Sequence, residues 1–208
     1  RIPVPLVTIE EHDVSPTLGE NFVDWSIEAG IAGLALVILF MILYYRLPGA
    51  LAGAALIIYV ILVMAAFQII EVVLTLAGIA GFILSIGMAV DANVLIFERM
   101  REEVRLGRTL KAAIEVGFNR AWPAIRDSNI STFITCGILY WMGSSLGVPA
   151  VQGFAVTLFI GVAISMFTAI VVTRTFLRAA ASTGATSKRP LFLPEARPLS
   201  IHGEGFLR

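Results

Sequence analysis

A single carboxylate inside a long apolar segment constrains this chain more than any other feature. The segment from Val73 to Phe97 contains one ionisable residue, Asp91. Its length is sufficient for a helix that crosses a bilayer. A charge at the centre of such a helix costs roughly 2.5–3.5 kcal/mol, so it persists where it faces the protein interior, a water-filled cavity or a partner. Asp91 therefore predicts either a proton or ion relay, or a buried polar contact that orients helices.

The composition predicts a polytopic membrane protein. Of the 208 residues, 58% are hydrophobic and 14% are charged, more apolar surface than a soluble domain can cover. The single cysteine, Cys136, excludes a disulfide within the chain. The histidines, His12 and His202, lie near opposite ends, so neither a metal site nor a cofactor is predicted. Without a Walker loop, an intramembrane Ser/His/Asp set or a basic face, the sequence predicts neither an enzyme nor a nucleic-acid-binding protein.

Five apolar segments predict an all-α membrane protein, folded as a five-span helical bundle over residues 27–178. The predicted spans cover about 27–45, 50–67, 74–97, 128–146 and 152–177.

The segments outside the spans carry predictions of their own. Residues 1–26 are polar and acidic, and their first ten residues alternate as a β-strand does, which we expect to be the end of a periplasmic domain lying upstream. A turn is predicted at 14–20. Within 106–118, apolar residues at helical spacing predict an amphipathic helix along the inner membrane face. Residues 179–208 are rich in Pro, Ser and Gly and predict a disordered cytoplasmic tail.

The charge distribution predicts the orientation of the spans. If residues 1–26 lie outside, an odd number of spans leaves the tail inside, and 14 of the 15 Lys and Arg residues then lie on the inner side. Only Arg1 remains outside. Basic residues favour the cytoplasmic side of a membrane. We therefore expect a periplasmic or extracellular N-terminus and a cytoplasmic C-terminus.

Two predicted spans carry ridges of small residues at four-residue spacing, which allow helices to approach closely in lipid. The ridges comprise Ala77, Gly81, Ser85, Ala89 and Asn93 in the third span, and Gly153, Thr157, Gly161, Ser165, Ala169 and Thr173 in the last. Asp91 lies well round the helix from the first ridge. The third span therefore needs neighbours on two faces, which predicts that it is the central helix.

Two further acids continue the stripe of Asp91 along its helix. At the angular spacing of an α-helix, Glu98 and Glu102 fall on this stripe, about 10 and 16 Å nearer the inner side. These two acids are either an acidic exit path for a proton toward the cytoplasm, or solvated charges at the end of the helix.

The start of the fourth span carries the most polar face of any predicted span. This face comprises Ser128, Asn129, Thr132 and Thr135. It is a natural hydrogen-bonding surface for Asp91, and we expect Asp91 to face it. Alternatively, the hydroxyls of this face bond to backbone carbonyls of their own helix, and Asp127 or Ser128 is the N-cap of that helix.

Two motifs in these segments resemble the SecD family, the protein-export branch of the RND transporter superfamily. One is Gly87-Met-Ala-Val-Asp-Ala-Asn-Val-Leu-Ile-Phe-Glu-Arg-Met-Arg-Glu-Glu103. The other, Asp127-Ser-Asn-Ile-Ser-Thr132, is similar to the family pattern Asp-x-Asn-x-Thr-Thr, with Ser131 replacing the first Thr. The resemblance implies a half-transporter of five spans that follows a large periplasmic domain.

The resemblance also implies a function and partners. A SecD-like subunit uses the proton-motive force to promote preprotein translocation across the bacterial plasma membrane and is not a chemical catalyst. The implied partners are a SecF-like membrane subunit, the SecYEG channel, unfolded preprotein and the lipid bilayer. From the residues themselves, we predict a proton relay in which Asp91 carries the proton and the polar face receives or orients it. This relay comprises Asp91, Asn93, Asp127, Ser128, Asn129, Thr132 and Thr135.

Other interpretations stay open at this point. An RND-type exporter of small molecules or lipids would share the intramembrane acid, and an assembly subunit would need no coupling ion at all. Na⁺ could replace H⁺. Because the five spans contain no cation at the depth of Asp91, we predict that a second subunit contributes an ionisable residue there. The alternative is a protonated Asp91 satisfied by Thr132 or Asn129.

Overall fold

Helices form every element of the chain that the structure describes. The computed structural model describes residues 16–182, with side chains from residue 24 onward. The elements are α1 (Pro16–Tyr45), α2 (Leu47–Ile69), α3 (Leu76–Arg105), α4 (Leu110–Leu146), α5 (Pro149–Phe167), a π-helical turn (Thr168–Thr173) and α6 (Arg174–Ser182). The predicted strand within residues 1–10 and the predicted disorder of 183–208 lie outside the described residues.

Four helical stretches within the described residues are long and apolar enough to cross a membrane. They are Asp24–Tyr45, Leu47–Ile69, Leu76–Arg105 and Pro149–Ser182. The predicted span 128–146 is helical throughout, but the polar residues at its start make it less apolar than the other four. Residues 16–182 thus form an all-helical membrane domain, and the fifth span stays a prediction.

Backbone conformation and capping explain where several helices begin and end. Arg46 alone separates α1 from α2, and its φ of 52° helps to reverse the chain there. Gly49 permits this tight connection because a Cβ at that position would lie 1.9 Å from the carbonyl oxygen of Met41. Thr75 and Thr109 begin α3 and α4 with side-chain oxygens that accept hydrogen bonds from backbone N–H groups three residues on.

Two predicted boundaries are wrong. The turn expected at 14–20 is helical from Pro16, where α1 begins. Proline is favoured in the first turn of a helix, where its missing N–H has no helical partner to lose. The tail expected from residue 179 begins too early, because α6 continues to Ser182 and buries Ala181.

The amphipathic segment predicted over 106–118 is not a separate helix. From Leu110 onward it is the first part of α4, which continues past Pro123 into the predicted fourth span. Its apolar face is buried, with Ala113 and Ile114 almost fully enclosed. The segment is therefore held by protein contacts on this face.

The central helix is α3, as predicted, and its ridge of small residues packs on the ridge of α5. A Cβ added at Gly81 would lie 2.6 Å from Oγ1 of Thr157, and one added at Gly161 would lie 2.3 Å from Oγ of Ser85. The hydroxyl of Tyr59, from α2, is hydrogen-bonded to Ser85 at 2.6 Å. Three helices therefore meet at one close crossing.

We call the end of the bundle that contains the 106–109 connection the basal end. Here the start of α4 packs closely on α3, since a Cβ at Gly117 would lie 2.8 Å from the backbone nitrogen of Met100. Leu177 of α6 is fully buried in the same apolar cluster as Ile114 and Phe118. The basal end is thus a packed junction of α3, α4 and α6.

Candidate functional site

Asp91 lies at the middle of α3 and on an outward face of the chain. Its side chain is exposed, and so are Leu84 and Gly87 on the same stripe. A Cβ at Gly87 would meet no atom within 4 Å. Among the residues that the structure describes, none forms a hydrogen bond or an ion pair with Asp91. The carboxylate thus lies on a lateral surface that the described residues leave open.

The predicted contact between Asp91 and the polar face of α4 is not made as a hydrogen bond within the described residues. Thr132 donates to the carbonyl of Ser128 at 3.2 Å, and Thr135 donates to that of Ser131 at 3.0 Å. These hydroxyls donate to backbone carbonyls of their own helix, which is the alternative that the sequence left open. Their oxygens retain the capacity to accept.

The packing of α3 on α4 places the start of the polar face, rather than Thr132, nearest in depth to Asp91. Met88, one turn before Asp91, packs against the apolar cluster that contains Cys136 of α4. The two helices run in opposite directions and Gly117 packs on Met100, so nine residues along each helix from this contact Arg126 is near the level of Asp91, and Thr132 lies roughly 9 Å further along. The polar face is itself divided, because Ser128 and Thr135 are exposed whereas Asn129 is buried.

Asn93 lies on the opposite side of α3 from Asp91, because two residues turn a helix by about 200°. Its side chain is only 5% exposed and accepts a hydrogen bond from Oγ1 of Thr173 at 3.0 Å. The structure thus joins Asn93 to the π-helical turn and not to the surface of Asp91. The sequence had placed Asn93 and Thr173 on small-residue ridges, but it did not pair them.

Asp127 is not a helix N-cap, and neither is Ser128, because α4 begins at Leu110 and passes through both residues. The N-cap is Thr109, whose side chain accepts from the backbone N–H of Ala112. The Asp127 carboxylate is 63% exposed and pairs with its neighbour Arg126 at 2.9 Å.

The two acids predicted as a cytoplasmic exit are both engaged in local contacts. Glu98 accepts a hydrogen bond from the hydroxyl of Tyr45 at 3.0 Å. Glu102 pairs with Arg99 at 3.0 Å and with Arg120 at 3.4 Å. The exit stays a prediction, and any proton that uses it passes a network of paired charges.

Sequence reasoning missed two ion clusters at the basal end. In the first, Glu103 is 3% exposed and pairs with Arg120 at 2.5 Å and with Arg108 at 2.7 Å. This cluster ties the end of α3 to the start of α4. A charge buried to this degree requires such partners, but the sequence showed only a dense set of charges without their pairing.

In the second cluster, Glu115 of α4 binds two arginines of α6. Its carboxylate accepts from Arg178 at 2.5 and 2.8 Å and from Arg174 at 2.5 Å. These hydrogen bonds, with that from Arg178 the stronger influence, lower the pKa of Glu115 to about 2. The Arg174 guanidinium also lies 5.4 Å from the ring centre of Phe118. The cluster fixes α6 against the start of α4.

Together, the fold and site of the described residues define a class: a helical membrane domain whose third helix carries an acid at its midpoint. Within this class, the chain belongs to the family described as protein export membrane protein SecD/SecF, C-terminal, whose model matches residues 5–182. This confirms the resemblance drawn from the motifs.

Individual relatives agree with this assignment. The chain is 59% identical over 198 residues to a protein translocase subunit SecD of Dehalococcoides mccartyi, covering 95% of this chain and 44% of that protein. It is 56% identical over 206 residues to the SecD subunit of Thermobaculum terrenum, covering 95% and 40%. The chain thus spans less than half the length of these relatives.

Solved structures show the same fold. A crystal structure of SecDF, a translocon-associated membrane protein from Thermus thermophilus, is similar with a TM-score of 0.77 and 36% sequence identity, covering 81% of this chain and 23% of that chain. A structure of SecDF in a super-membrane-facing form is similar with a TM-score of 0.75 at the same identity and coverage.

Proposed function

We propose that this chain is the membrane domain of a SecD-like subunit that uses the proton-motive force to promote preprotein translocation across the bacterial plasma membrane. The observation that carries the proposal is the mid-helix carboxylate of Asp91 on an open lateral face, in a chain of the SecD/SecF family. Protonation removes the charge and with it most of the cost of exposing this group to lipid. Such a group can couple proton movement to helix rearrangement, and no chemical catalysis is needed.

We propose that a SecF-like membrane subunit covers the open face around Asp91. An ionised carboxylate in a membrane needs a compensating charge or hydrogen-bond donors. No Lys or Arg occurs between residues 47 and 98 or between 127 and 173. Arg126 of α4 is already paired with Asp127 at 2.9 Å. The missing charge then comes from the partner, and the polar face of α4 contributes acceptors and donors beside it. Glu98 and Glu102 would then receive the proton at the cytoplasmic side.

The orientation and the remaining partners follow from the same proposal. The basic basal end lies in the cytoplasm and the start of α1 on the outer side, in agreement with the 14 of 15 Lys and Arg residues placed inside. The subunit acts beside the SecYEG channel on unfolded preprotein. The relatives named SecD support protein export over the export of small molecules or lipids.

Replacing Asp91 with asparagine tests the proposal, because the amide keeps the shape of the group but carries no transferable proton. The complete subunit would be assayed by preprotein translocation in membrane vesicles, with and without an imposed proton-motive force. We expect Asp91→Asn to abolish stimulation by the force while the protein remains in the membrane. Glu71→Gln, at an exposed acid in the α2–α3 connection, is the matched control and should retain it. Full stimulation in Asp91→Asn would exclude the relay.

A further inference from the structure

The connection between α5 and α6 is unusual within residues 16–182, because it is the one π-helical segment there. Its sequence, Thr168-Ala-Ile-Val-Val-Thr173, is rich in β-branched residues, which have a low preference for the α-helix. π-helical turns are rare and frequently occur at functional sites. This segment is therefore a place to look for a role beyond connecting two helices.

The turn contains two buried threonines that use their hydroxyls differently. Thr173 donates across to Asn93 of α3 at 3.0 Å. Thr168 instead donates within its own helix, to the carbonyls of Ile164 at 3.1 Å and Ser165 at 3.0 Å. Of these two threonines, only Thr173 is hydrogen-bonded to α3, so Thr168 is an internal control for the effect of a hydroxyl in this turn.

The turn is also held on its basal side. Arg174, the next residue, and Arg178 both bind Glu115 of α4. The turn thus has a fixed point in α4 on one side and a bond to α3 on the other. A rotation of α3 would have to break the buried bond between Asn93 and Thr173, or move a turn whose far side is anchored.

We infer that Asn93 and Thr173 are positioning residues, whose hydrogen bond holds α3 at the rotation that presents Asp91 to the open lateral face. Asn93 is two residues from Asp91 and points to the other side of the helix, so fixing one side chain fixes the direction of the other. This inference rests on the proposed function of Asp91. It replaces a direct relay role for Asn93 with an indirect one.

The test compares three variants of the complete subunit reconstituted in liposomes with its SecF-like partner. Thr173→Val removes the donor and keeps the shape, Thr173→Ser keeps the donor, and Thr168→Val removes the local hydroxyl. Infrared difference spectroscopy would follow the carboxyl band of Asp91 against pH, with the band assigned by its loss in Asp91→Asn. We expect Thr173→Val to displace the titration midpoint and to reduce proton-driven translocation, and the other two variants to behave as the parent does. An unchanged midpoint in Thr173→Val, or an equal change in Thr168→Val, would overturn the inference.

A double variant keeps the test decisive if Thr173→Val does not accumulate. Asn93→Leu combined with Thr173→Val replaces both partners with apolar groups, so no buried polar group is left unpaired. A folded double variant with a displaced midpoint supports positioning, whereas a parental midpoint and parental translocation would show that the bond serves only stability. Because the spectroscopic result does not depend on export, it separates failure of this inference from failure of the proposed function, which Asp91→Asn tests by translocation.

Discussion

Replacing Gly161 with alanine should destabilise the bundle at the crossing of α2, α3 and α5. The new Cβ would lie 2.3 Å from Oγ and 2.5 Å from Cβ of Ser85, and 3.1 Å from the hydroxyl of Tyr59. Ser85 cannot avoid this contact by moving only the end of a flexible side chain, because its own Cβ is involved. Accommodating the new Cβ requires Ser85 itself to shift, and we expect this shift to break its buried hydrogen bond to Tyr59.

The size of the effect follows from these contacts. Overpacking a core costs about 1–3 kcal/mol, and leaving a buried hydroxyl without its partner costs about 1–3 kcal/mol more. Alanine returns about 1 kcal/mol through its higher helix propensity. The free energy of unfolding should therefore fall by about 1–5 kcal/mol.

The assay is thermal unfolding of the complete subunit in detergent, with Gly33→Ala as the matched control. A Cβ at Gly33 meets no atom within 4 Å, so this variant should unfold at the parental temperature or slightly above it. We expect the midpoint of Gly161→Ala to fall clearly below both. If Gly161→Ala and Gly33→Ala unfold at the same temperature, the described crossing is wrong.

Two further predictions concern orientation and acid stability. A cysteine replacing Ser15 should react with a membrane-impermeant reagent added from outside and one replacing Ser187 should not, because basic residues favour the cytoplasmic side; the reverse pattern would contradict the proposed orientation. Because the folded-state pKa of Glu115 is lowered to about 2 from 4.5, its pairing with Arg178 and Arg174 stabilises the protein above pH 4.5, and this stabilisation is lost as pH falls toward 2. The carboxylate is 40% exposed, so we expect less than about 1 kcal/mol. Glu115→Gln should remove this part of the acid dependence of thermal unfolding, and an identical acid dependence in the variant would contradict it.

The features predictable from sequence are those set by one helix at a time. The spacing of Gly81, Ser85 and Gly161 marked the close-packed faces, and the structure packs these two ridges on each other. The angle between Asp91 and this ridge predicted neighbours on two faces of α3; α3 contacts all four other long helices, but the face of Asp91 stays open within the described residues. Both inferences need only the helical period and the requirement for close packing in lipid.

The features that could not be predicted depend on partners in the fold. The segment at Ala113 and Ile114 has the same period as the rest of α4, so the sequence did not show that one helix continues through Pro123. The pairing of Asn93 with Thr173 joins residues 80 positions apart. Nothing in the local pattern distinguishes an amide that serves Asp91 from one that binds another helix.

The candidate site shows the same division. A lone acid in an apolar run identifies Asp91 from sequence alone, because the cost of its charge is so high. Its surroundings were predicted incompletely, since Asp91 faces outward and the hydroxyls of Thr132 and Thr135 bond to their own helix. The proposed second subunit would complete this surface, and its complement is then not found in the sequence of one chain.

The central claim, that Asp91 moves a proton during translocation, can be measured directly. Proteoliposomes containing the complete subunit, its SecF-like partner and the channel would carry a trapped pH-sensitive dye while preprotein is translocated. We predict proton movement that accompanies translocation in the parent and in Glu71→Gln and is absent in Asp91→Asn. Undiminished proton movement in Asp91→Asn, with the protein intact in the membrane, would contradict the account.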